Sequence, residues 1–505
     1  MADLRAALSL VPQSERRHFA DEQQRNRRQS RRFSVVAVPA VIAAGIPLCI
    51  VVSPIIFAAV LVGVTAWDLF APLSESQWLA LARIANALPD LWDAIRGRPS
   101  DVAWGPLAAL FLAPGIVVML LAWPFVRRMS RVAGAGSLLE LMPSRPPDAS
   151  VLAEQQFANA VQEIAVSAGV PSPRVRIIAS RAVNIAAIGL TTNDATILAT
   201  EGFLSTLNRD ERQAMVAHLV GSVGNGDLEI AATILSVVET WALVTALFEA
   251  VLYPNQRRLV RDFAVASGRI LRSDLDSATA RSIVDRLVRG SMPDPMEVAE
   301  NFQPENLVGV LFGLFVLIPV LAALGIASIA ARTASSLFTV IGFGPWLAAM
   351  WRARRRLADA TAVQLTRNPT ALADAIRKLG RADVEVPEAW PINFLFPVWV
   401  PVTLENSTRA HGAGEIVGMR LETEPRLEHL ATLGAALDAG KLSWRARLRR
   451  SLGSPEELVK ALGWASLALV LSALLLLASV ALTAWLLGLL WALLQVLVPR
   501  ARQPS

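Results

Sequence analysis

The stretch "AHLVGSVGNGD", residues 217–227, carries the most suggestive chemistry in the chain. Two histidines four residues apart on a helix, with a glutamate after the first, would present two imidazoles and a general base to one zinc ion. Here His218 is followed by Leu219, and Ser222 stands four residues on. One imidazole remains, a leucine cannot accept a proton, and a neutral hydroxyl is a poor zinc donor. Asp227, Glu229, Asp359, Glu424, His411 and His429 are the conceivable substitute ligands, with structural hydrogen bonding the simpler reading of Asp227 and Asp359. His218 by itself reads more readily as a buried, hydrogen-bonded histidine than as a ligand.

The elements that must position these residues are legible from spacing. Residues 151–168 place apolar side chains at 152, 157, 161, 164 and 165, a helical period, closed by Gly169 and Pro171. "VRIIA" (175–179) reads as a strand, and "NIAAIGL" (184–190), "TTND" and "ATILAT" (195–200) read as a hairpin. Asn208 and Glu211 have capping-box spacing, so a helix is expected over about 209–223, carrying His218. A later helix is expected over about 345–365. Together these elements make an α+β domain with a membrane pair between its two parts.

The chain around that domain is a membrane chain. Of 505 residues 54% are hydrophobic and only 18% charged, too apolar for an ordinary soluble protein of this length. Runs at 34–67, 105–125, 230–252, 307–331 and 463–498 reach the roughly 20 residues a bilayer requires. The first holds Pro39, Pro47 and Pro54; the last is one long helix or a hairpin. The net charge of +6 comes almost entirely from arginine, clustered before the first run (Arg16 to Arg32) and after the second (Arg127, Arg128, Arg131). That distribution places the N-terminus and residues 127–229 in the cytoplasm of a bacterial inner membrane. Residues 254–306 then become an extracytoplasmic loop if both flanking runs span. The expected order is a basic arm (1–32), N-terminal transmembrane helices with an extracytoplasmic loop (33–126), the first part of the domain (127–229), a transmembrane pair with a charged loop (230–331), the second part (332–460) and a C-terminal transmembrane segment (461–505).

Composition also excludes. The single cysteine, Cys49, removes disulfide frameworks and cysteine-rich zinc sites. No phosphate-binding glycine loop follows a strand; "GAGS" (134–137) reads as a connector, and nucleic acid is not an expected partner.

At this point the residues resemble a known family. The run from Gly169 to Asp227, with Asn184 to Gly189 before a strand, "TEG" (200–202), "LNRDE" (207–211) and "NGD" (225–227), looks like the HtpX-like membrane zinc metallopeptidases. These are relatives of the CAAX prenyl endopeptidases, in peptidase family M forty-eight. "RRRLADATAVQLTRNPTALADAIRKL" (354–379) resembles the family's second motif helix, and "TEPRLEHLATLG" (423–434) a late segment. The resemblance implies an α-helical membrane protein with a cytoplasmic α+β, zincin-like metallopeptidase domain interrupted by transmembrane helices. It implies Asn184, Gly189, Asp227 and Asp359 as structural motif residues.

The same resemblance sets the catalytic positions, and this chain departs from them. The general base falls at Leu219, the second histidine at Ser222, the glutamate ligand at Arg355 and the late histidine at Glu424. His218 is the one ligand left. A guanidinium about 5 Å from a divalent ion would cost about 6 kcal/mol at an effective dielectric near 20. No cofactor is therefore expected, with zinc only if substitute ligands rebuild a site. The implied role is a pseudoprotease in the lipid bilayer that binds peptides or membrane-protein clients, with an active protease paralogue or further copies of itself as partners. Its candidate peptide-binding edge strand is Ala195, Thr196, Ile197, Leu198, Ala199 and Thr200, since backbone pairing needs no metal. Two alternatives stay open: an active zinc endopeptidase of membrane-protein quality control with unorthodox ligands, and a non-enzymatic membrane scaffold or transport component, for which Glu239 and Glu249 give slight support.

Overall fold

The computed structural model describes residues 45–68, 70–95, 102–134, 144–250, 253–289, 344–379 and 423–436, with the isolated residues 470 and 474. The arm 1–32, the runs 307–331 and 463–498, the connector "GAGS" beyond Gly134, and His18 and His411 lie outside the described residues.

Among the described residues three helices come first: α1 (Ile46–Asp68), α2 (Glu75–Ile95) and α3 (Trp104–Ala133). Residues 46–67 and 102–126 contain no charged side chain, which lets α1 and most of α3 sit in hydrocarbon. The two approach closely at Gly115, where an added Cβ would lie 2.6 Å from Ser53 Oγ and 3.0 Å from Cys49. The Gly115 N–H donates to Ser53 Oγ at 2.9 Å, so a small residue at the crossing brings a polar bond with it. The charged stretch between them, expected as loop, is helical in α2 because Trp78, Leu81, Ile84 and Ala85 recur at helical spacing among its polar residues.

The domain follows as α4 (Leu152–Ala168), β1 (Arg174–Ile178), β2 (Ile185–Ile188), β3 (Thr196–Thr200), α5 (Glu201–Thr206) and α6 (Arg209–Gly224). Gly169 closes α4 in the left-handed conformation at φ 66°. Asn208 and Glu211 form the expected reciprocal capping box at the start of α6. Then come α7 (Asp227–Glu249), α8 (Pro254–Arg272), α9 (Ser277–Arg289), α10 (Gly344–Thr366), α11 (Pro369–Leu379) and α12 (Thr423–Thr432).

The sheet order is β1-β3-β2, with β1 parallel and β2 antiparallel to β3. This corrects the expectation for 195–200. Thr196 to Thr200 pair with Arg174 to Ile178 on one side, and Thr196 to Ala199 with Ile188 to Ile185 on the other. All five residues of β3 are buried, so it is the central strand and not an edge. An apolar strand with no polar alternation belongs between neighbours. The core of the domain lies where α4, α6, α11 and α12 meet this sheet, with Phe157 edge-on to Phe203 at 6.0 Å between ring centroids.

Among the described residues, two helices, α3 and Asp227–Leu247 of α7, are long and apolar enough to cross a membrane by length and composition. They differ in setting: 22% of the α3 window is buried within the protein and 72% of the α7 window. Polar side chains join them, with Trp123 Nε1 donating to Ser236 Oγ at 2.9 Å and Ser130 Oγ to the buried Glu239 at 2.6 Å. Residues 254–289, expected as a loop between two spans, are two amphipathic helices that bury Leu259, Ala266, Ile283, Val284 and Leu287 against Val126, Met129 and Ala133 of α3.

Candidate functional site

α6 and α10 cross at Gly221, where a Cβ would come within 2.9 Å of Thr361 Cγ2. The absence of a side chain there brings the two motif helices together. His218, three residues earlier, meets Asp359 of α10, with 2.8 Å between Nδ1 and Oδ1. Both side chains are essentially inaccessible.

Asp359 is held from a third direction. Arg426 of α12 donates to its carboxylate through both Nε and Nη2, at 3.0 and 2.6 Å. This bidentate pair is the strong form of a guanidinium–carboxylate contact. Arg426 is 2% exposed, so the pair, with His218, forms a buried triad linking three helices.

A second knot lies beside it. Ser222 Oγ donates to Asp227 Oδ2, and Arg354 Nε donates to Asp227 Oδ1. Arg354 also reaches the carbonyl oxygen of Asn225, and Asn225 Nδ2 donates to Thr361 Oγ1 at 3.3 Å. Arg355 follows with a buried Nε that has no hydrogen-bond partner among the described residues.

The electrostatics follow from these neighbours. Burial pushes the Asp359 carboxyl up, but Arg426 and His218 outweigh it and hold the group well below the usual carboxylate range. Burial pushes the His218 imidazole down, against the opposing pull of Asp359, so the ring is neutral at ordinary pH. Burial, helped by repulsion from Arg426, lowers Arg355 to about 10, still a cation at neutral pH. Among the described residues, three guanidiniums, of Arg354, Arg355 and Arg426, thus face two carboxylates, of Asp227 and Asp359.

The positions singled out in the sequence are partly brought together. His218, Ser222, Asp227, Arg355 and Asp359 converge at the crossing of α6 and α10, while Leu219 is fully buried in the hydrophobic core. Glu424 falls in the first turn of α12, and its side chain lies outside the described residues. Asn184 is buried at the head of β2, where its N–H donates to Thr200 Oγ1 at 3.0 Å and its carbonyl accepts from Thr200. Gly189 adopts φ 153° against Ala195, a conformation that favours glycine. Arg426 and Arg354 were missed. The sign available for Arg426 was an arginine at position four of a segment otherwise fitted for burial (Leu427, Leu430, Ala431).

Among the described residues, no three His, Cys, Asp or Glu side chains are grouped closely enough to hold a metal ion. The arrangement can orient an imidazole and hold buried charge. Its carboxylates are already committed to guanidiniums.

Residues 152–278 match the family described as "Peptidase family M48". The chain is similar to a Protease HtpX homolog of Streptococcus uberis, 23% identical over 251 residues, covering 50% of this chain and 63% of the relative. It is 31% identical over 123 residues to Protease HtpX of Alcanivorax borkumensis, covering 22% of this chain and 41% of the relative. With Protease HtpX of Pseudomonas paraeruginosa the identity is 36% over 93 residues, 18% of this chain and 32% of the relative. The chain thus spans less than two thirds of the length of these curated relatives. No solved structure gives a significant match. Residues 152–278 thus match peptidase family M48, and the chain is similar, over part of its length, to proteins named Protease HtpX.

Proposed function

We propose that this protein is a membrane-embedded member of the family that has lost hydrolysis and uses the retained scaffold to bind peptides, membrane-protein clients or an active protease partner. The observation that carries this reading is the Asp359–Arg426 pair closed over His218. A carboxylate behind a metal-bound histidine is a familiar orienting device, and His218 keeps it. The remaining donors do not fit a catalytic zinc, which takes three protein ligands and an open position. Ser222 is engaged with Asp227, Leu219 offers no base, and Arg355 sets a cation where an anionic ligand is wanted. No hydrolytic step is derived for such a site.

The arginine distribution around 16–32 and 127–131 supports an inner-membrane protein with the peptidase-like domain on the cytoplasmic side. For capture by backbone pairing, the edge left among the described residues is the outer side of β2. β3 is central, and β1 carries the bridge between Arg145 and Ile177 on its outer side. The four residues of β2 are buried, so capture includes opening of that edge.

The test co-reconstitutes the full chain with a membrane protein that an active Protease HtpX cleaves. The expected result is saturable association without cleavage products over hours. Cleavage abolished by a chelator would refute the reading, as would the absence of both association and cleavage.

A further inference from the structure

The hairpin of α8 and α9 has no part in the site, yet its charge is strongly organised. On α8, Arg258, Arg261, Val265, Arg269 and Arg272 follow one another at spacings of three and four, and all five are exposed. They form one stripe along the helix. The opposite face, with Leu259 and Ala266, is buried against α3 and α9. Val265 is 55% and Leu271 75% exposed, so apolar side chains sit among the arginines on the outward side. Asp262 and Asp276 lie only 3.6 and 3.4 Å from Arg261 and Arg269, loose surface pairs that leave most of the positive field intact.

The location of this stripe is set by α3. Its uncharged run ends at Arg127, so the hydrocarbon boundary falls near there. Six residues further, about 9 Å along the helix, the Ala133 carbonyl accepts from Arg281 Nε of α9 at 3.1 Å. Val126, Met129 and Ala133 pack on the hairpin, and so do Leu243 and Ala246 near the end of α7. The hairpin therefore sits beside the end of α3 from which the chain enters the peptidase-like domain. Its arginines lie within about one screening length of the headgroups. Basic side chains interleaved with outward apolar ones are the composition of a helix that lies in a membrane interface.

We infer that α8 and α9 form a membrane-surface anchor, whose arginine stripe docks on anionic lipid headgroups on the same side as the peptidase-like domain, and that α7 returns to that side as a buried helix and does not cross. This anchor fixes the height and tilt of α6 and α7 over the bilayer, independently of whether the domain cleaves anything.

The test uses the full chain with two single-cysteine additions, Val265→Cys on the stripe and Ser167→Cys on the exposed face of α4, with the unaltered protein and its buried Cys49 as the labelling control. A membrane-impermeant maleimide applied to sealed vesicles of either orientation is expected to label both positions from the same side. An environment-sensitive fluorophore on Val265→Cys is expected to shift to the blue in vesicles containing phosphatidylglycerol relative to pure phosphatidylcholine. High salt should reverse that shift, and the combined change Arg258→Gln, Arg261→Gln, Arg269→Gln, Arg272→Gln should abolish it. Labelling of the two cysteines from opposite sides would overturn the inference. So would equal emission in both vesicle types, or a shift that persists in the four-glutamine variant.

Discussion

Asp359 on α10 and Arg426 on α12, 67 positions apart, make two hydrogen bonds of 3.0 and 2.6 Å in a site closed to solvent. The pair joins two segments whose connection runs through residues outside the described set, and His218 of α6 leans on the same carboxylate. Removing one partner leaves a buried uncompensated charge, at a cost of about 3–5 kcal/mol. Asp359→Leu or Arg426→Met alone should lower the unfolding midpoint of the detergent-solubilised protein accordingly. The double variant is expected to be more stable than either single one, with a coupling of about 2–3 kcal/mol in a double-mutant cycle. Additive losses would show that the two groups do not act as a pair.

Stability should fall in two steps as the pH is lowered. The unfolded chain protonates His218 near pH 6.5, but the folded site, where burial depresses the imidazole, resists that proton. The contribution of the neutral ring is therefore complete above about pH 6.5 and is eroded below it. Asp359, held low mainly by Arg426 against the effect of burial, contributes fully above about pH 4 and loses its contribution as the pH falls through its folded value. Chemical unfolding between pH 8 and about pH 2 measures the first step in full and the onset of the second. His218→Gln should remove the first and leave the second.

The crossing of α6 and α10 depends on a missing side chain. In Gly221→Ala the new methyl group would meet Thr361, with Cγ2 at 2.9 Å and Cβ at 3.0 Å. Overpacking of this kind costs about 1–3 kcal/mol. Thr361→Ser removes the nearer carbon and should recover part of the loss in the double variant, read as a thermal midpoint. A Gly221→Ala protein as stable as the parent would mean the helices are not in contact there.

At the start of α6, Asn208→Ala should cost about 1 kcal/mol, and Asn208→Ser only a few tenths. Asn208 Oδ1 accepts from the Glu211 N–H at 2.9 Å, while Glu211 accepts from the Asn208 N–H and from Lys378 Nζ, both at 2.8 Å. Hydrogen exchange at the first turn of α6 would reveal the local fraying that such a loss brings.

Local features were legible in the sequence, and relations between distant segments were not. The capping box at Asn208, the Gly169 stop and the extents of α4, α6 and α10 follow from spacing over a few residues. The strand order does not. Ile185–Ile188 and Thr196–Thr200 are both short, apolar and wholly buried, so no alternation says which of them has neighbours on both sides. The amphipathic character of α8 was present in its arginine spacing but was outweighed by polarity, which made it read as loop. Arg426 was illegible for a different reason: its meaning lies in Asp359, and no local pattern links a residue to a partner 67 positions away.

The central claim is that buried ion pairs stand where a catalytic zinc would be held. Metal content of the purified full chain after exposure to zinc tests it most directly, beside the combined variant Leu219→Glu, Ser222→His, Arg355→Glu. The expected result is negligible zinc in the unaltered protein and about one ion per chain in the variant, the count for a catalytic site of this type. Near-stoichiometric zinc in the unaltered protein, lost on His218→Ala, would contradict the account.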